Sequence, residues 1–243
     1  MRLLPLLLAA TLFSDESLVE RREARRRLRE VLGRNEVVFT FDDGPHPDVT
    51  PRILEALEER GVRAAFFACG IQIEKGARGR TGRRILRQEI DGGHLVGTHT
   101  VHHPRLSALE EKAVEEEIGG GIDLVERAIG RRPSLFRPPF GDLPAAAADV
   151  VRKRDLDLVL WTTNVRDYRI ADPATIAAGI LGELERRGGG VVLLHDTHPP
   201  SADALPLILD GIEPINERRE EAGLPALTIA RPETLLGLSR EGD

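Results

Sequence analysis

With 243 residues and 41% apolar content, the chain can bury one substantial core and need not be divided into domains. A net charge of −6 gives no electrostatic reason to expect nucleic acid as a partner. One cysteine, Cys69, excludes an internal disulfide framework and leaves the redox compartment open.

The chain opens MRLLPLLLAATLFSDES, one Arg followed by an apolar run and then small and polar residues. Residues 1–14 therefore read as a secretory signal peptide or an uncleaved N-terminal anchor, too short for a stable membrane span. Export is the expectation, to the periplasm, the cell envelope or the medium. Residues 15–35 read as an Arg-rich helical leader. Its VERREARRRLRE stretch carries both signs of charge and fits a solvated amphipathic helix, with a membrane-surface or polyanion contact as the alternative.

From residue 36 to about 240 one domain is expected, with apolar strand-like runs at 37–41, 64–68, 94–98, 135–137, 156–161, 191–195 and 227–229. Helical segments lie between them. Thr50-Pro51 starts one, with a cap residue ahead of a first-turn proline. Ser107 to Glu110 has a capping-box pattern, and further helices are expected near 81–91, 143–154, 173–188 and 201–218. The triplet Gly119-Gly120-Gly121 inside a helical stretch suggests a kink or close packing. Alternating strands and helices define an α/β protein with a largely parallel sheet. A closed or nearly closed (β/α) barrel of about seven parallel strands is the first reading, and a doubly wound open sheet the second.

The informative residues sit where these runs end. Asp42 and Asp43 follow the first strand and His99 the third, with His103 just beyond. Arg137 ends the fourth, Trp161 and Asp167 follow the fifth, and His195 and Asp196 close the sixth. In parallel barrels that is the catalytic end. His99 and His103, four apart, would face one side of a helical turn and offer a bite for a divalent metal, although such spacing is equally often structural. A carboxylate from another strand end would complete two His plus one Asp and leave a position for water. His102 falls off that face, His94 reads as a packed histidine, His46 and His198 as loop residues, and Cys69 as a buried inert thiol.

TFDDGP, HTVHH, RPPFG, the Trp161-to-Tyr168 segment and LLHD occur in this order, and the set resembles the polysaccharide deacetylase family, carbohydrate esterase family 4 with its NodB-homology domain. The likeness runs over about residues 36 to 235 and implies a distorted (β/α) barrel. It implies Asp43, His99 and His103 as metal ligands, Asp42 as catalytic base and Arg137 as the arginine orienting it. His195 becomes the general acid and Asp167 the carboxylate tuning it. Pro139, Phe140, Trp161, Tyr168 and Leu194 would shape the substrate groove, with a backbone N–H near Phe140 holding the oxyanion. One divalent metal is implied, Zn²⁺ first, with Co²⁺, Ni²⁺ or Mn²⁺ as substitutes.

The activity so implied is removal of N-linked acetyl groups from an acetylated amino-sugar polymer or oligomer, peptidoglycan or chitin-like, by a monomer. An O-acetyl esterase on a polysaccharide such as acetylxylan is the alternative. A catalytically silent glycan-binding protein and a metal-independent small-ring amidohydrolase are disfavoured by the intact residue set. The chain departs from the family pattern at Asn164 and Tyr168, which leaves subsite shape open, and Phe140 stands where a Tyr is frequent.

Overall fold

The structure, a computed structural model, describes residues 35–236 together with Leu28 and Gly33. The expected signal segment and most of the leader lie outside the described residues.

Among the described residues seven strands all pair in parallel: β1 Glu36–Asp42, β2 Ala65–Ala68, β3 Leu95–Thr98, β4 Leu135–Phe136, β5 Asp157–Leu158, β6 Gly190–His195 and β7 Thr228–Ile229. Their order is β5-β4-β3-β2-β1-β6, with β7 beside the start of β1. The chain just past β5 returns to β6: Thr163 bridges Val192 in parallel, and the Leu193 N–H donates to the Thr163 carbonyl at 2.9 Å. That contact curls the sheet onto itself, and the seam is short. It selects a distorted barrel over the doubly wound open sheet, the outcome expected when the strands tilt and close.

The helices are α1 Thr50–Glu58, α2 Gly76–Asp91, α3 Glu111–Ile129, α4 Ala145–Lys153, α5 Pro173–Arg187, α6 Pro199–Asp210 and α7 Ile212–Glu221. Strand alternation divides the core. On β1, Val37, Phe39 and Phe41 pack with Ile53 and Leu57 of α1 and with Leu205 and Ile208 of α6. Val38, Thr40 and Asp42 take the other face, and two of them bond Arg137, which arrives from the end of β4.

Several local expectations are corrected. The fifth strand is shorter than its apolar run because the Val159 and Leu160 carbonyls accept from Arg137, at 3.1 and 3.3 Å. No capping box forms at Ser107. Its N–H donates to Asp142 Oδ2 at 2.7 Å, and α3 begins only at Glu111. Thr50 does not cap α1 either: Val49 is the N-cap, and the Thr50 hydroxyl accepts from the His46 N–H and donates to Asp196 Oδ2. The expected helix over 201–218 is two helices that break at Gly211. The glycine triplet sits inside an unbroken α3 and reflects close packing, since a Cβ on Gly121 would lie 2.4 Å from Thr98 Oγ1. Among the described residues no helix is long and apolar enough to cross a membrane.

Candidate metal centre and active site

Asp42 is the last residue of β1 and Asp43 the first beyond it, and the backbone decides where each points. Asp43 has φ 79°, in the left-handed region that short polar residues tolerate best. Asp42 keeps the strand's alternation and faces Arg137. Its Oδ1 accepts from the guanidinium at 2.7 Å, with both side chains buried. The same Nη1 donates to Thr40 Oγ1 at 2.9 Å, and the guanidinium lies 4.1 Å from the centre of the Phe67 ring. A buried arginine with all these partners fixes the position of one carboxylate and sets a positive charge beside it.

Asp43 turns instead toward two imidazoles. Its Oδ1 lies 3.3 Å from His103 Nε2 and 3.6 Å from His99 Nε2. The histidines do not sit on a helical turn. The segment from His99 to His103 is a loop with left-handed φ at Thr100 (69°) and His103 (58°), held by the His103 N–H donating to Thr100 Oγ1. The two rings converge at 4.8 Å through that loop, which spacing alone does not reveal. His99 donates its Nδ1–H to the Arg137 carbonyl at 2.6 Å, which leaves the Nε2 lone pair facing Asp43. Burial, with His99 beside it, holds His103 below the ordinary histidine range and so favours the neutral ring that ligates metals.

One ligand atom from each of Asp43, His99 and His103 falls within 4.8 Å of the others. Asp43 Oδ1 is buried without a hydrogen-bond partner. An orphaned carboxylate oxygen facing two nitrogen lone pairs fits a divalent cation. His103 and Asp43 remain 27% and 30% exposed, so the centre opens to solvent on one side.

His195 ends β6 as the register partner of Asp42. Its Nδ1–H donates to Asp167 Oδ1 at 2.7 Å, and its backbone N–H to Asp167 Oδ2 at 2.8 Å. The Ser201 hydroxyl adds a third bond to Oδ2 at 2.6 Å. Burial opposes the charge on His195, but Asp167 outweighs it, with Asp42 and Asp43 adding, and the ring is pushed up to about 9. Asp167 is held low by these hydrogen bonds despite its burial. The turn that presents Asp167 is shaped by Asn164, whose Oδ1 accepts from the Arg166 N–H at 2.6 Å, an Asx-type turn.

The expected groove residues fare unevenly. Phe140, with φ 58°, is 57% exposed and packs edge-on against His103 at 4.7 Å. Tyr168 is 48% exposed and meets His195 at 5.1 Å. Trp161 is half-buried, its ring 3.1 Å from where a Cβ on Gly141 would sit, and Pro139 is buried at the start of the short turn that carries Phe140. Leu194 is a correction. It points away from His195 into the helix-facing core and is fully buried, so it lines no groove. Leu193, two residues before His195, shares the face of the site.

Thr40 and Ser201 were also missed. Thr40 was available from strand alternation one step back from Asp42. Ser201 lies 34 residues from the carboxylate it serves, and nothing local marks it. Asp196 contacts none of the three ligands. It sits under Gly44, bonded to Thr50, and burial pushes it up to about 7, with Asp43 and Asp42 adding against the pull of that hydroxyl. His94 is a packed histidine accepting from the Ala64 N–H, lowered to about 4 by burial and Arg63. His102 pairs with Glu117 at 2.7 Å. Cys69 is buried, and burial pushes its thiol up.

A parallel barrel that gathers two histidines and a carboxylate at its strand ends, beside a second carboxylate held by arginine, defines a class of α/β-barrel proteins with a cluster able to hold a metal ion. Comparison with known proteins narrows it. The polysaccharide deacetylase family model matches residues 29–159, and the chain belongs to that family, carbohydrate esterase family 4. It is 31% identical to a peptidoglycan-N-acetylglucosamine deacetylase of Bacillus cereus over 162 residues, 67% of this chain and 56% of that protein. It is 35% identical to a chitooligosaccharide deacetylase of Azorhizobium caulinodans over 178 residues, 73% of this chain and 81% of that one. Among solved structures, the family 4 carbohydrate esterase of Streptomyces lividans in complex with acetate superposes with a TM-score of 0.65 at 28% identity, covering 82% of this chain and 94% of the other. The chain spans just over half the length of the Bacillus relative.

Proposed function

We propose that the protein is a metal-dependent hydrolase that removes N-linked acetyl groups from N-acetylglucosamine-containing polysaccharides or oligosaccharides. The observation that carries this reading is a pairing. An arginine-held carboxylate, Asp42, and a carboxylate-held imidazolium, His195, are register partners beside the Asp43, His99 and His103 cluster. The names of the relatives, deacetylases of peptidoglycan and of chitooligosaccharides, point to the same bond. They also support action outside the cytoplasm.

Amide hydrolysis needs an activated water, a place for the oxyanion and a proton for a poor leaving amine. A divalent cation held by Asp43, His99 and His103, with Zn²⁺ the first candidate for a two-histidine, one-carboxylate set, would supply Lewis acidity and acidify a water toward neutrality. Asp42 receives the proton at Oδ2, since Oδ1 is committed to Arg137. Arg137 supplies the counter-charge beside Asp42 and holds its carboxylate in one orientation. His195, with Nδ1–H committed to Asp167, presents Nε2–H to the departing nitrogen and delivers the proton there. Phe140 and Tyr168, exposed on either flank, supply apolar faces for sugar rings.

The test is acetate release by purified protein from N-acetylglucosamine oligomers, peptidoglycan and acetylxylan, with and without a chelator. Chelator-sensitive release from the first two substrates is the expected outcome. Release confined to acetylxylan would make the protein an O-acetyl esterase. Release unaffected by chelation would remove the metal from the mechanism.

A further inference from the structure

Two arginines beside the site have no assigned task. Arg105 lies over the Phe140 ring, 4.8 Å from its centre, and Arg169 over the Tyr168 ring at 5.6 Å. Each ring meets a site histidine edge-on, Phe140 at His103 and Tyr168 at His195. The same triplet of histidine, exposed aromatic and exposed arginine thus occurs twice, once on the loop after β3 with the turn after β4, and once on the turn after β5 with the end of β6. Neither arginine forms an ion pair with a described carboxylate. In a chain of net charge −6, many other surface arginines do, including Arg60, Arg186, Arg187 and Arg218.

An arginine laid on an aromatic face is held in place by cation–π attraction while its N–H donors stay free. A sugar ring can stack on the exposed part of such an aromatic. The guanidinium then lies where it meets a substituent of that sugar, and its planar fork matches a carboxylate. A neutral chain of N-acetylglucosamine would leave both cations unpaired.

We propose that Phe140 with Arg105 and Tyr168 with Arg169 form two subsites that select a glycan carrying carboxylates over a neutral one. The inference rests on the deacetylase reading for the reaction but not for the binding. The carboxylate can be borne by the sugar itself, as a lactyl ether, or by a peptide attached to it.

Three substrates distinguish these sources: neutral N-acetylglucosamine hexamers, peptide-free strands of alternating N-acetylglucosamine and N-acetylmuramic acid, and the same strands with peptides. Metal-loaded wild type and R105Q, R169Q and R105Q/R169Q variants are compared by kcat/KM for acetate release. The expected result is a preference of wild type for an acidic strand that falls about three- to tenfold in the double variant, chiefly through KM. Turnover of the neutral hexamer stays within about twofold, and the preference shrinks between 20 and 500 mM salt, conditions spanning roughly the range of useful screening. A preference seen already with peptide-free strands assigns the lactyl carboxylate, and one seen only with peptide-bearing strands assigns the peptide. Equal losses on neutral and acidic substrates, or a preference that survives both substitutions, overturn the proposal. If wild type releases no acetate from any substrate, the deacetylase reading fails, and calorimetric binding of the same oligosaccharides decides the subsites: tighter binding of acidic strands that R105Q/R169Q abolishes upholds them, and equal affinities reject them.

Discussion

Two adjacent acids ordinarily hinder each other's ionisation, and here, although His99 Nε2 lies 3.7 Å from Asp42 and 3.6 Å from Asp43, each acid has a further partner of its own. Asp42 faces Arg137 and Asp43 faces two imidazoles, so their removal should have different consequences. Asp43→Ala or His99→Ala should lose bound metal, measured by elemental analysis after dialysis, and normal content in either variant would refute the ligand assignment. Asp42→Asn should retain the metal and lose about 10²–10⁴-fold in kcat, the range of general acid–base catalysis. His195 gives a pH prediction with a definite sign. Its raised pKa, about 9, means the acid form persists through neutrality, so activity falls on the alkaline side, with the limb at or below that value once a cation offsets Asp42 and Asp43. Asp167→Asn removes the main raising partner and should move the limb down toward the ordinary histidine value of about 6.5. An unmoved limb would mean that another group sets it. The same pair contributes stability that is complete below the unfolded histidine value and is lost as pH rises through about 9.

At the scale of elements, α3 is fitted to the sheet through its small residues. Gly121→Ala would drive a Cβ to 2.4 Å from Thr98 Oγ1 and 3.0 Å from the Thr100 backbone, at the head of the ligand loop. A loss of about 1–3 kcal/mol is expected by thermal unfolding, together with weaker metal retention. Gly182 in α5 is the matched control, since a Cβ there meets nothing within 4 Å. Gly182→Ala should stabilise by about 0.5–1 kcal/mol through helix propensity. Equal effects of the two would discount close packing. The strands were legible because near-continuous apolar runs end in polar residues, and the position of each run survives in the structure. Helix starts were less legible. Thr50 and Ser107 have cap-forming chemistry, yet both are bound to the loops after β6 and β4, a tertiary demand that outranks local capping. At the site, motif order singled out Asp42, Asp43, His99, His103, Arg137, Asp167 and His195, which the fold brings together at the strand ends, while their roles belong to the proposal. Ser201 was invisible because its partner is fixed only by the packing of α6. Leu194 was misplaced because β6 is apolar along its whole length, so its composition does not mark which leucine shares the face of His195.

For the molecule as a whole, Arg137 is both part of the site and the tie across the barrel. It contacts β1 at Thr40 and Asp42, the chain after β5 at Val159 and Leu160, and β2 through Phe67. Arg137→Leu would leave Asp42 buried without its counter-charge, and a loss of about 3–5 kcal/mol in urea unfolding is expected. Recovery of much of that loss in Arg137→Leu combined with Asp42→Leu would show that the cost lies in the stranded charge rather than in the packing. The strand order has a consequence for synthesis. β1 emerges first from the ribosome, yet its longest partner is β6, and the Thr40 hydroxyl reaches Val192 across 152 residues of chain. Until that segment is made, β1 keeps an unpaired edge, and the nascent domain holds its candidate ligands and base without the imidazolium that faces them. If the chain is exported, the most exposed intermediate is therefore one in transit, which favours translocation before β6 can close the sheet and folding only on the far side.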